Sequence, residues 1–280
     1  VIDVVVYQWP GSRRSCFVAD AMFKGIKNCG DSVCFKDVRS YVGPIGDVAV
    51  WYGWSRPIMD GYRDAGKKAV YADLGYWRRE GFTGHHKLSI NSRHPTSYFQ
   101  KQKHPPDRFR KLNVPIKDWR HNTTGDIIVA GMSGKGADAE GLDPEQWERW
   151  AVQELRRHTK RRVVYRPKPN WKGSGEIAGA GLQRGHPQGD DVYSILLNTY
   201  AVVAHHSNVA VDALLEGVPV YVVDGIARVL GQHDLSKIEQ PIRPDGREQW
   251  AHDAAYTQWN VDEMASGEAW RHLKDEGLVP

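Results

Sequence analysis

Asp73 stands at the end of the short apolar run 68–72 and is followed by Leu74-Gly75-Tyr76-Trp77. A carboxylate at the C-terminal end of a strand faces the crevice of an open α/β sheet, where it can accept a proton from a hydroxyl within hydrogen-bond reach. The same position also suits an aspartate that merely caps a turn. His205, His206 and Ser207 follow the apolar run 201–204 and precede helix-forming residues. The free N–H groups of a helix start favour phosphate, which makes His206 and Ser207 candidate phosphate contacts; structural histidines are the plain alternative. A metal is not expected here, because adjacent histidines on a strand point to opposite faces and no third ligand is spaced nearby.

The segment Ala130-Gly131-Met132-Ser133-Gly134-Lys135-Gly136 has the look of a nucleotide loop. A phosphate loop of the GxxxxGK[ST] type needs Gly where Val129 sits and a hydroxyl where Gly136 sits, so that motif fails twice. What remains is a small strand-to-helix loop whose backbone can approach a diphosphate, or a plain loop. No G-x-S-x-G elbow anchors a hydrolase triad. No D-x-D triplet occurs either, which disfavours diphosphate chemistry bridged by a metal.

These groups need strands that end near them. Residues 1–7, 47–52 and 68–72 are β-branched or aromatic runs bounded by Gly, Asp or Pro, and residues 15–28 between the first two have helical apolar spacing. A second series has a strand at 126–130 and a helix over 143–158, with Asp143 as N-cap and Pro144 at its first position. It continues with a strand at 163–167, a Gly-rich stretch at 173–189, a helix near 190–200 and a strand at 201–206. Ser207 then caps a helix over 208–216, Gly217 ends it in the left-handed conformation, and a strand restarts at Pro219. This βα alternation predicts an α/β fold with mostly parallel sheets. The expected division is 1–122, 123–245 and a helical tail, 246–280, that packs back on the first domain.

The 280 residues are 40% hydrophobic and 26% charged, enough for two domains with real cores. No apolar run is long enough to span a bilayer, and the N-terminus reads as a core strand, not a signal peptide. Cys16, Cys29 and Cys34 are odd in number and lack CxxC spacing, so neither a disulfide framework nor a zinc site is indicated. A cytoplasmic protein with no membrane contact is the expectation. The net charge of +4 is uneven: residues 76–121 hold eleven Lys/Arg against three acids, a local +8 that leaves −4 elsewhere.

From Asp73 onward the residues resemble a family. Tyr71–Asn91, with its acid-x-Gly start and basic cluster, is similar to the D/E-x-G region of capsule polysaccharide glycosyltransferases and bacterial polysialyltransferases. Arg162–Asn170 resembles their Arg-x-His-Pro element, and His205–Val222 their helix-capped Ser/Thr element. The stretch from Leu235 to Trp270 resembles the tail of small relatives from bacteriophage genomes. The resemblance implies a GT-B-like fold, two Rossmann-like domains with mostly parallel sheets facing a cleft, and a metal-independent, inverting glycosyltransferase. It implies Asp73 as general base. It also implies a nucleotide-sugar donor (a UDP-sugar first) held by Gly131, Ser133, Gly134, Arg166, Lys168, His206, Ser207, Asn208 and Asp212. Lys168 stands where the family has His; it can offset diphosphate charge but cannot shuttle a proton near neutral pH.

The acceptor-side candidates are Arg13, Arg14, Tyr76, Trp77, Arg78, Arg79, His85 and His86. The +8 stretch also carries Tyr98, Phe99 and Trp119, and basic residues interleaved with aromatics suit a nucleic-acid backbone with stacked bases. With the tail, this points to a hydroxymethylated pyrimidine in DNA as acceptor, ahead of a capsule or surface polysaccharide. A solvated basic face is the bland reading of the same charges. A non-catalytic DNA-binding protein and a sugar-nucleotide epimerase are the readings from other classes.

Overall fold

The computed structural model describes residues 1–101, 103–169, 171–184 and 192–280; the end of the Gly-rich stretch and the start of the helix expected near 190 lie outside them. The chain divides into one unit of residues 1–114 with 249–280 and a second of residues 115–248. In chain order the first unit contains β1 (Asp3–Gln8), α1 (Arg13–Asn28), β2 (Ser32–Asp37), β3 (Val48–Tyr52), α2 (Arg56–Asp64), β4 (Lys68–Leu74), β5 (His86–Ile90) and α3 (Asp107–Leu112). The second contains β6 (Asp126–Ala130), α4 (Gly134–Ala139), α5 (Gln146–His158), β7 (Val163–Arg166), β8 (Gly181–Leu182), α6 (Val192–Leu196), β9 (Thr199–Ala204), α7 (Asn208–Leu215) and β10 (Val220–Val222). Then α8 (Arg247–Ala255) leads back to the first unit, which ends in β11 (Gln258–Trp259), α9 (Val261–Ala265) and α10 (Glu268–Asp275).

The first unit's sheet runs β11-β5-β4-β3-β1-β2, parallel from β2 to β4 and antiparallel at β5 and β11. The inner strands β1, β3 and β4 are apolar on both sides because both faces are covered, whereas the edge strand β2 is largely exposed. Val4 and Val6 join Met22 and Ile26 of α1 in one core, while Val5 and Tyr7 join Ile58 and Tyr62 of α2 in the other. Ser12 caps α1 by accepting the Ser15 N–H. The C-terminal helices pack on α1 so closely that a Cβ on Gly25 would lie 1.9 Å from the Met264 carbonyl oxygen.

The second unit's sheet runs β10-β9-β6-β7-β8 and is parallel throughout. Trp147, Ala151, Val152 and Leu155 of α5 pack on Ile127, Val129, Val163 and Tyr165. This helix starts at Gln146, not at Asp143: Glu145 takes a left-handed conformation (φ 63°) and turns its carboxylate to the Tyr165 hydroxyl (3.3 Å) and the Gly175 N–H (2.7 Å). Asp143 therefore does not cap it, and instead donates its N–H to the Gln146 side chain. Ser207 caps α7, and Gly217 follows that helix at φ 73°. Among the described residues no helix is long and apolar enough to cross a membrane.

Candidate active site

In the first unit, Asp73 lies one residue before the end of β4, opposite Lys87 of β5. Its Oδ1 accepts the Leu74 N–H at 2.8 Å and its Oδ2 is 3.9 Å from Lys87 Nζ. The Asp73 side chain is 39% exposed and that of Lys87 only 4%. Lys87 Nζ also stands 3.1 Å from His94 Nδ1, so a buried amine joins the carboxylate to a buried imidazole. Burial, and after it the Asp73 charge, push the Tyr71 phenol well above its ordinary pKa. The same two causes raise Tyr52. Asp73 is thus an accessible carboxylate beside buried Tyr71, half-buried Tyr52 and one buried lysine.

Gly75 explains the acid-x-Gly spacing. A Cβ there would lie 2.6 Å from the His85 carbonyl oxygen and 2.9 Å from Gln258 Oε1. The close approach lets the Gly75 N–H reach the His85 carbonyl and lets Gln258, wholly buried on β11, accept the N–H groups of Tyr76 (2.7 Å) and Trp77 (3.2 Å). Gln258 therefore shapes the turn after Asp73 from 182 residues away along the chain.

The acceptor-side candidates divide on inspection. Arg13 is exposed and Arg14 half-buried, both over the Phe82 ring, with Arg14 also hydrogen-bonded to the Gly81 carbonyl. Arg78 and Arg79 donate to the carbonyls of Leu112 and Tyr76. His85 faces Glu263 at 3.7 Å, and burial lowers its pKa. His86 is buried, and burial followed by the Arg14 charge lowers its pKa to about 4, so it is a neutral ring near pH 7.

Tyr76, Trp77, Tyr98 and Phe99 are all core residues. Their rings do not face solvent and cannot stack on bases, which corrects the expectation for these four; Trp119 is half-buried, with Arg247 over its ring. Several charges of that stretch are internal as well. Arg108 is buried against Glu263 (2.9 Å) and lies 3.7 Å over the Trp259 ring. Exposed Lys117 and half-buried Arg120, in turn, are both engaged by the buried Glu216.

In the second unit, Ala130 pairs with Arg166 on one side and with Ala204 on the other, so the loops after β6, β7 and β9 emerge side by side at the C-terminal edge of the sheet. The first holds Gly131, whose N–H meets the Arg166 carbonyl at 2.9 Å, and Ser133, which caps α4 through the Gly136 N–H. A Cβ on Gly131 would press on the Tyr165 ring, and one on Gly134 would lie 2.4 Å from the Trp171 indole. Met132 N–H is held at 2.6 Å by Glu148, a carboxyl whose pKa burial raises. Arg166 is buried at the end of β7 and Lys168 is exposed beyond it. At the end of β9 stand His205 (buried), His206 and Ser207, with Asn208 opening α7 and Asp212 buried inside it.

The two histidines do not diverge as strand neighbours. Because β9 ends at Ala204, the alternation has stopped, and their Nδ1 atoms are 3.0 Å apart. Glu140, just after α4, comes within 3.7 Å of His206 Nδ1. The three side chains together have the composition and proximity to hold a metal ion, a third ligand that spacing along the chain did not reveal. Lys87, His94, Gln258 and Glu140 are the neighbours of the candidate residues that the motifs missed.

No family model matches the chain, and no curated protein matches it in sequence. Among solved structures it is similar to the Thermosulfurimonas dismutans KpsC beta Kdo 2,4 transferase, with a TM-score of 0.54 and 11% identity over 91% of each chain. It is likewise similar to the KpsC beta Kdo 2,7 transferase of the same organism, with a TM-score of 0.52 and 11% identity over 96% of this chain and 99% of that one. Neither match supports the bacteriophage relation that the tail suggested. Two mostly parallel α/β sheets, laid out as in those two transferases, give the chain a GT-B-like fold.

Proposed function

We propose that the chain is a glycosyltransferase that moves a sugar from a nucleotide-sugar donor to a hydroxyl of a capsule or other surface polysaccharide. The observation that carries this is the second unit's sheet edge. Gly131, Ser133, Arg166, His206 and Ser207 stand there on three adjacent loops, at the edge where open α/β sheets bind nucleotides. Backbone N–H groups and cationic side chains in that position stabilise a departing nucleoside diphosphate. Asp73 is the general base: it takes the proton of the acceptor hydroxyl, whose oxygen attacks the anomeric carbon, and a single in-line displacement inverts that centre. The likeness to two solved Kdo transferases favours a glycan acceptor, and the burial of Tyr76, Trp77, Tyr98 and Phe99 weakens the stacking argument for DNA.

The test is a panel of UDP-, GDP- and nucleotide-activated Kdo donors offered with oligosaccharide acceptors, and separately with hydroxymethylated DNA, read by mass spectrometry. Sugar on the oligosaccharide, abolished by Asp73→Asn, is expected. Transfer to the DNA alone, or transfer that survives Asp73→Asn, would overturn the reading.

A further inference from the structure

A cluster in the first unit plays no part in that reaction. His104 precedes α3, His272 lies on α10, and Glu276 follows α10, so His272 and Glu276 share one helix face at i, i+4 spacing. Their ligand atoms and that of His104 all lie within 4.8 Å of one another. His104 Nε2 and Glu276 Oε1 are 3.7 Å apart, against roughly 3.4 Å along the edge of a tetrahedral site with bonds near 2.0–2.1 Å. The two imidazole rings are 5.7 Å apart and tilted by 53°, an arrangement that lets one nitrogen of each address a common point.

The surroundings are those of a prepared ligand. Asp253, 2% exposed, presents Oδ1 to the His104 N–H (2.9 Å), to His104 Nδ1 (3.2 Å) and to Gln249 Nε2 (3.0 Å). The carboxylate therefore accepts from Nδ1 and turns Nε2 toward Glu276, as an outer-shell carboxylate does for a metal-bound histidine. Tyr256 stacks on the ring at 4.4 Å and locks its plane. Nε2 itself is enclosed by protein and makes no hydrogen bond. Nε2 and the Glu276 carboxylate face each other there at 3.7 Å, a gap that one shared cation bridges. His272 adds a second imidazole, with Arg108 in the same neighbourhood. The charge of Arg108 is already taken up by Glu263 and Glu268.

We propose that His104, His272 and Glu276 form a binding site for a zinc-class divalent ion, oriented by Asp253, which ties the segment before α3 to the C-terminal helix. Two imidazoles and one carboxylate are a zinc-type donor set, with solvent completing the coordination.

The full chain, stripped by a chelator, is to be loaded with ZnCl₂, gel-filtered and assayed by elemental analysis, and with CoCl₂ for the visible bands of tetrahedral cobalt. Retained zinc, a higher melting temperature on loading, and cobalt bands that vanish in Glu276→Gln and His272→Ala but persist in His206→Ala are expected. Asp253→Asn, which keeps the shape of the side chain, is expected to weaken zinc by roughly 10- to 100-fold. Should no zinc be retained, or should it stay in Glu276→Gln and leave in His206→Ala, the site is not the one proposed. Cobalt spectra of folded Glu276→Gln decide the matter even where His272→Ala fails to fold.

Discussion

Asp73 Oδ2 faces Lys87 Nζ at 3.9 Å across a paired position of the β4–β5 ladder, the carboxylate accessible and the amine enclosed. The exposed partner can meet an acceptor, while the buried one is held in place by His94 and keeps the carboxylate turned outward. Asp73→Asn preserves shape and removes the proposed general base. It is expected to cut transfer by roughly 10²–10⁴-fold with little change in melting temperature, and to leave the stabilisation by a donor nucleotide intact. Lys87→Met is expected to lower kcat by less and to lower the melting temperature, because it removes a partner from two side chains. Steady-state rates and thermal melts of the two variants check both statements.

The contrast between Asp73 and Lys87 also marks where a linear reading stops. Strand-end position and the following Gly75 made Asp73 visible, and the βα rhythm exposed β1, β3, β4, β6, β7, β9 and α7, because period and cap residues are local properties. Lys87 was one charge in a basic run, and charge runs are normally solvated. Only β5, a five-residue strand with His and Lys among its buried positions, brings it inside. Arg108 was hidden for the same reason, since its partner Glu263 lies 155 residues away. Glu140 became a neighbour of His206 through the packing of α4 on the sheet edge, a relation that no spacing encodes.

Arg108 is the tightest such case. Its guanidinium donates to the Ala255 and Gln258 carbonyls and to both oxygens of Glu263, and it stacks on Trp259. Removing one member of a buried, hydrogen-bonded ion pair costs about 3–5 kcal/mol. Arg108→Ala is expected to destabilise the first unit by about that much in denaturant titration. Arg108→Lys is expected to recover little, since an ammonium lacks the planar fork that serves Glu263 and the carbonyls together.

His86 sets an acid limit on stability. Its folded pKa is about 4, below the unfolded value near 6.5, because burial and the Arg14 charge disfavour the imidazolium. Below the unfolded value the unfolded chain binds a proton that the folded chain refuses. The stabilising contribution is therefore complete above pH 6.5 and is lost as pH falls toward 4, at up to about 1.4 kcal/mol per pH unit. Unfolding free energies between pH 7 and 4 are expected to fall less steeply in His86→Leu than in the parent. Parallel curves would show that this ring does not carry the effect.

Two glycines separate the cost of a left-handed backbone from the cost of a close approach. Gly66 (φ 69°) and Gly217 (φ 73°) each follow the cap residue of a helix, α2 and α7 respectively. A Cβ on Gly66 meets nothing within 4 Å, whereas one on Gly217 would lie 1.9 Å from the Asp118 carbonyl oxygen. Gly66→Ala is expected to cost only the left-handed penalty, about 1–2 kcal/mol. Gly217→Ala must also push away the segment whose Lys117 N–H and Arg120 N–H bind the Leu215 and Gly217 carbonyls. It would thereby strain the contacts of Lys117 and Arg120 with buried Glu216. Its melting temperature is expected to fall clearly further than that of Gly66→Ala, by roughly 2–4 °C for each additional kcal/mol. Equal falls in the two variants would mean that the Asp118 segment yields freely and that Gly217 serves backbone conformation alone.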